Sequence, residues 1–148
     1  MNIFKKISEK RRQKRLAEFN NGGILRFFHY DFGKMRGDRL SYTVSSDNDV
    51  IILSAQRIDY EKGETITHEY EIPPVVMQQL KALLRDNGVY MWKGFDKHNS
   101  MIEGDSFVLR ASFDNYSLYA EGASMLPAGF AKANEKIISF FEDMIKEA

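Results

Sequence analysis

Between Gly88 and Asp105 the chain reads GVYMWKGFDKHNSMIEGD, and this segment carries the greatest density of side chains that can do chemistry: Tyr90, Trp92, Phe95, Asp96, His98, Glu103 and Asp105. Aromatic rings beside polar groups can wall a cleft for a peptide, a sugar or a base. A histidine near carboxylates can move protons, so His98 with Asp96, Glu103 and Asp105 has the ingredients of an assembled hydrolase or transferase site. The rings also have a plainer use. Trp92 and Phe95 can lid the open end of a core, since an apolar body with a polar tip suits that edge. The segment is long for an irregular connection, and long loops are enriched in function.

A second motif-like stretch, AEGASMLPAGF from Ala120 to Phe130, joins a predicted strand to the last predicted helix. Phosphate loops need backbone amides at a helix start and, in the Walker form, Gly-x-x-x-x-Gly-Lys followed by Ser or Thr. Here Gly122 and Gly129 are seven apart, no lysine follows until Lys132, and no Gly-x-Gly-x-x-Gly occurs. The stretch therefore reads as a corner in which Gly122 supplies an unusual backbone angle, Ser124 caps and Pro127 starts the helix. Weak anion or carboxylate binding there, with Ser124 as a contact, is the functional alternative.

The three histidines, His29, His68 and His98, show no His-x-x-x-His or Glu-x-x-His spacing, so no metal or cofactor is implied, and a metal site would have to assemble from distant segments. His68, on the apolar face of a predicted strand, reads as a hydrogen-bonded core or groove histidine. No Gly-x-Ser-x-Gly elbow is present for a serine nucleophile. Asp47 and Asp49 fall in a turn cluster and read as turn chemistry.

The remaining candidate is electrostatic. Residues 1 to 18 hold Lys5, Lys6, Lys10, Arg11, Arg12, Lys14 and Arg15 against Glu9 and Glu18, a net of +5, and because the whole chain is neutral the other 130 residues carry −5. Ile3, Phe4 and Ile7 ahead of this basic run could settle on an anionic membrane, or the run could track a nucleic-acid backbone. The apolar stripe stops before Lys10, and the acidic body opposes close approach to phosphates. A solvated helix docking on its own domain or on a partner copy, giving a homodimer, is the simpler reading.

These side chains must be positioned by regular elements. Residues 1 to 21 read as a helical appendage, with Asn20-Asn21-Gly22-Gly23 as stop and joint. From Ile24 to Ile72 period-two and continuous apolar runs separated by turn clusters predict four strands. In the fourth, Ile66, His68, Tyr70 and Ile72 share an inner face and Thr65, Thr67, Glu69 and Glu71 a wet one. Pro74 opens a helix with Val76, Met77, Leu80, Leu83 and Leu84 at helical spacing, until Asn87-Gly88 stops it. Ser106 to Phe113 and Tyr116 to Ala120 flank Asp114-Asn115 as a hairpin with a type I′ turn, pairing Ala111 with Leu118 and Leu109 with Ala120. After Pro127 a closing helix presents Phe130, Ala133, Ile137, Ile138, Phe141, Met144 and Ile145 as one stripe. The order (α)-ββββ-α-ββ-α predicts an α+β domain over residues 22 to 148, a mainly antiparallel sheet of about six strands with helices on one face.

Composition agrees. At 148 residues, 43% hydrophobic and 28% charged, the chain can bury a core without metals or disulfides, and it has no cysteine to supply either a disulfide or thiol chemistry. Val50-Ile51-Ile52-Leu53 is the longest aliphatic run, far short of the roughly 20 residues of a membrane span, and the N-terminus lacks an apolar signal region. A cytoplasmic location follows as the expectation.

The pattern Trp92-x-Gly94-Phe95, Glu103-Gly104-x-Ser106-Phe107, then Gly122-x-Ser124-x-x-Pro127-x-x-Phe130 resembles that of a family of small uncharacterised bacterial domains of gut anaerobes. The resemblance covers about residues 70 to 145. This chain has Glu103 where the family more often has Asp, and Ser124 where it has Asn. The family brings no activity with it; what it implies is that these residues form one structural unit, with the Trp loop beside the Gly-to-Pro corner.

Taken together, the sequence describes a non-catalytic binding domain that recognises a protein, peptide or small molecule through a groove near the Trp92 loop, with Tyr90, Trp92, Phe95, His98, Asp105 and Ser124 as contacts. The rivals are an enzyme centred on His98 and attachment to membrane or nucleic acid through residues 1 to 18.

Overall fold

The computed structural model describes residues 2 to 147, the side chain of Asp47 excepted; Met1, Ala148 and the expected turn role of the Asp47 carboxylate lie outside it. Helix α1 (Ile3–Asn20) leads into β1 (Leu25–Lys34), β2 (Arg39–Asp47), β3 (Val50–Asp59) and β4 (Glu64–Ile72). Helix α2 (Val75–Asp86) and a one-turn 3-10 helix (Val89–Trp92) follow, then β5 (Asp96–His98), β6 (Asp105–Phe113), β7 (Ser117–Ala123) and α3 (Phe130–Glu147). The fold is α+β, and the strands form one sheet in the order β4-β3-β2-β1-β6-β7-β5. All neighbours are antiparallel except β5 and β7.

Among the described residues the sheet has seven strands, one more than the sequence suggests. The addition, β5, is three exposed residues inside the Trp loop, and its pairing is a backbone event with no apolar alternation to announce it.

Alternation decides which face is covered. Phe28 and Tyr30 of β1, Tyr42 and Val44 of β2, Leu53 of β3, Phe107, Leu109 and Ala111 of β6, and Leu118 and Ala120 of β7 all point to one side and are buried. Against them lie Val76, Met77, Leu80 and Leu84 of α2 and Phe130, Ala133, Ile137 and Phe141 of α3, the residues at helical spacing. The expected hairpin register holds, with Leu109 opposite Ala120 and Ala111 opposite Leu118. Pro74 takes the position before α2, and Gly88, at φ 69°, turns the chain out of it.

The turn chemistry departs from expectation at Asp114-Asn115. Neither residue adopts the positive φ that a type I′ turn demands; the positive-φ pair is Asn48 (49°) and Asp49 (69°), between β2 and β3. Asp114 is recruited elsewhere: its carboxylate accepts from the Ile24 N–H at 2.8 Å and from Arg26 Nε at 2.7 Å, while the amide of Asn115 donates to the Gly22 carbonyl. These bonds pull the carboxylate below the ordinary aspartate range, the Ile24 amide contributing most.

The basic helix is rooted in the domain. Phe19 is fully buried against Tyr90, Phe113 and Tyr116, with ring centroids 5.3 to 6.0 Å apart. Residues 2 to 14 are all exposed, and burial begins at Arg15 and Leu16. No helix among the described residues is long and apolar enough to cross a membrane.

Candidate functional site

The Trp loop closes the core. Tyr90 is 3% and Trp92 2% exposed, which removes both from any ligand-facing wall. Trp92 stacks on Phe130 at 5.6 Å and meets Phe107 edge-on at 5.5 Å, and Phe107 lies 4.9 Å from Phe130. Phe95, half-buried, leans on Phe107 at 6.3 Å. Backbone bonds stitch this cluster to β7: the Gly94 N–H donates to Tyr119 and the Glu121 N–H to Phe95. The volume in which a groove was expected is filled by side chains.

The Gly-to-Pro corner is adjacent and equally occupied. A methyl group at Gly122 would stand 2.3 Å from the Met125 carbonyl oxygen and about 3 Å from the Phe107 and Phe95 rings, so the glycine is required by close approach rather than by an unusual φ. Ser124 sits at φ 59°, its N–H donates to the Asp105 carbonyl at 2.9 Å and its hydroxyl to the Ile102 carbonyl. It caps no helix. Helix α3 begins at Phe130, after Gly129 at φ 75°, rather than at Pro127. Gly122→Ala is therefore expected to destabilise by about 1–3 kcal/mol, the cost of overpacking, measured as a lowered midpoint in urea with an unchanged slope.

The carboxylates expected around His98 part company. Glu103 pairs with Arg36 at 3.2 Å, and Asp105 starts β6 away from the imidazole. Asp96 stays, at 2.7 Å from His98 Nε2, and a residue the sequence reading left aside joins them: Glu121, at 3.4 Å. The hydrogen bond to Asp96, helped by the charges of Asp96 and Glu121, raises the His98 pKa above its usual value. These three side chains present donor atoms of the kind that hold a metal ion, all within 4.8 Å of one another. With the His98 and Asp96 side chains 50% and 61% exposed, the cluster stands at a wet sheet edge, without the exclusion of water on which acid–base catalysis draws.

His68 is exposed on edge strand β4 and lines a small concavity with Tyr42, Arg57 and Glu142 of α3, so of the two expected settings it has the groove and not the core. His29, on the uncovered face, meets Thr43 Oγ1 at 2.9 Å through Nδ1, and partial burial lowers its pKa. Beside it Arg39 bonds Asp31 and, at 2.7 Å, the Ser106 hydroxyl. Of the basic residues, Lys10, Arg11, Arg12 and Lys14 are exposed; Arg15 donates to the Met91 carbonyl at 2.8 Å and Arg12 to the Tyr90 hydroxyl at 3.3 Å. The latter two side chains anchor α1 to the 3-10 helix.

An open, largely apolar concavity lies where the sequence drew no attention. Helix α3 starts against Phe32, Phe107 and Trp92 and crosses to Phe28 and Tyr42, where Phe141 stacks at 5.8 and 4.7 Å. Its path leaves the far ends of β2, β3 and β4 bare on the helix side. There Phe32, Leu40 and Ile66 floor a cavity of about 570 Å³, rimmed by Lys34, Arg57, Lys62, Asp59, Glu64 and Asp105. Asp105, proposed from sequence as a contact, is the one expected residue that reaches it. Arg57 is held over the groove by an ion pair with Glu142 of α3, whose other oxygen accepts from Tyr42 at 2.7 Å. The signal in the sequence was Ile66, an apolar residue far enough along an edge strand to outrun two helices.

No protein-family model matches the chain, and no curated protein matches it.

Proposed function

We propose that this is a non-catalytic binding domain that takes a short peptide or a small amphipathic molecule in the groove floored by Phe32, Leu40 and Ile66. The observation that carries the reading is the bare apolar floor: Ile66 is 54% exposed inside a cavity whose size falls in the range of small-ligand sites. An apolar group laid on that floor removes Ile66 and its neighbours from water, at about 25 cal/mol per Å² of apolar surface. The rim carries both signs of charge, which suits a zwitterionic or mixed-charge ligand. The outer wall is β4, an edge strand whose outward backbone groups have no partner strand among the described residues, so an extended peptide has main-chain bonds to gain as well. This reading keeps the expected cytoplasmic location.

A fluorescent amphiphile, 1-anilinonaphthalene-8-sulfonate, tests the groove directly. The folded chain is expected to bind it with saturable fluorescence, and Ile66→Asp, a surface change that leaves the circular dichroism spectrum intact, should weaken binding by about tenfold, the equivalent of roughly 1.4 kcal/mol. Equal binding by both proteins would dismiss the groove.

A further inference from the structure

The structure assigns a divalent transition-metal site, best suited to zinc, to Asp96, His98 and Glu121 at the β5–β7 edge. Asp96 and His98 are two apart on one strand, so both side chains leave the same face of the sheet. Glu121 is the register partner of Asp96 on the parallel neighbour and lies on that face too. Three ligands thus come from positions fixed by backbone pairing, flanked by the bonds from the Glu121 amide to Phe95 and from the Asn99 amide to Ala123, both 2.9 Å.

The distances suit a small ion. His98 Nε2 lies 2.7 Å from Asp96 Oδ1 and 3.4 Å from Glu121 Oε1, and all three donor atoms fall within 4.8 Å of one another. Tetrahedral zinc with bonds of about 2.0–2.1 Å separates its ligands by roughly 3.3 Å. Glu121 already meets that spacing with His98, and the exposed Asp96 side chain has the freedom to back away by a few tenths of an ångström. When the ion binds, it takes the place of the proton that His98 Nε2 now shares with Asp96.

A partner outside the triad orients it. The Tyr119 hydroxyl donates to Glu121 Oε2 at 2.8 Å, which leaves Oε1 for the ion. Outer-shell bonds of this kind fix ligand orientation and tune affinity. One imidazole nitrogen with two carboxylate oxygens favours zinc over magnesium or calcium, which select all-oxygen sets. Three protein ligands leave a fourth position for water or for a group brought by a partner.

Isothermal titration of the full chain with zinc chloride, with magnesium chloride as comparison, tests the site. The expected result is one zinc per chain and no magnesium binding at the same concentrations. His98→Ala, Asp96→Asn and Glu121→Gln should each weaken zinc at least tenfold, and Tyr119→Phe about tenfold, the low end of outer-shell effects. Cobalt substituted for zinc should give tetrahedral visible bands that His98→Ala abolishes. Absence of stoichiometric binding, or the same zinc affinity in His98→Ala, would overturn the assignment.

Discussion

Trp92→Ala is expected to lower the stability of the domain by about 3–5 kcal/mol, the usual cost of deleting a buried tryptophan. The size of the effect follows from what the ring touches. Trp92 is 2% exposed and packs on Phe107 and Phe130, so its removal opens a void shared by the Trp loop, strand β6 and the first turn of α3. Small domains hold only about 5–15 kcal/mol in total, and for a chain of this length the loss translates to a melting temperature lower by roughly 10–20 °C. A tryptophan lining an open cleft would behave otherwise: its truncation would spare stability and cost affinity. Thermal denaturation of the variant separates the two roles, and a shift of only a degree or two would return Trp92 to the surface.

The second large effect is expected at Phe19. Its ring is fully buried among Tyr90, Phe113 and Tyr116, with Lys81 Nζ 5.6 Å above its centroid. Phe19→Ala should therefore cost about 3–5 kcal/mol, as though a core residue had been removed from the middle of the chain. Deleting residues 1 to 10, of which 2 to 10 are exposed, should change stability by no more than about 0.5 kcal/mol. Chemical denaturation of both proteins measures the contrast. If α1 were a detached appendage, both changes would be neutral. The comparison also bears on the basic run, because Arg12 and Arg15 reach Tyr90 and the Met91 carbonyl only while Phe19 holds the helix down.

Where short-range pattern determines structure, the residues were informative. The stripe of α3, the start and stop of α2, and the register of Leu109 against Ala120 all follow from periodicity and punctuation. Local composition misleads where two sites share it. Asn48-Asp49 and Asp114-Asn115 both suit a type I′ turn, and the second is diverted because the distant Ile24 amide and Arg26 capture the Asp114 carboxylate. Strand β5 escaped for a related reason, since its pairing with β7 is parallel, short and made by backbone alone.

The candidate sites were legible in proportion to how local they are. Asp96 and His98 are two residues apart and could be seen together, whereas Glu121 enters only through the β5–β7 register. Aromatic density in the Trp loop was visible, but whether those rings face a ligand or a core depends on where α3 begins. The groove of Phe32, Leu40 and Ile66 is defined by what a helix fails to cover, a property of the diagonal path of α3 that no single segment encodes. His68 is a related case: alternation put it on the inner face, where it lines a shallow concavity beside the last turns of α3 and stays exposed.

Amide chemical-shift mapping of the isotope-labelled chain, titrated with 1-anilinonaphthalene-8-sulfonate, tests the proposal that ligands are taken at the bare end of β2–β4 and not at the Trp loop. The largest perturbations are expected at Phe32, Leu40, Arg57 and Ile66, with Tyr90 to Phe95 unmoved. Perturbations centred on Tyr90 to Phe95, or none that saturate anywhere on the chain, would contradict it.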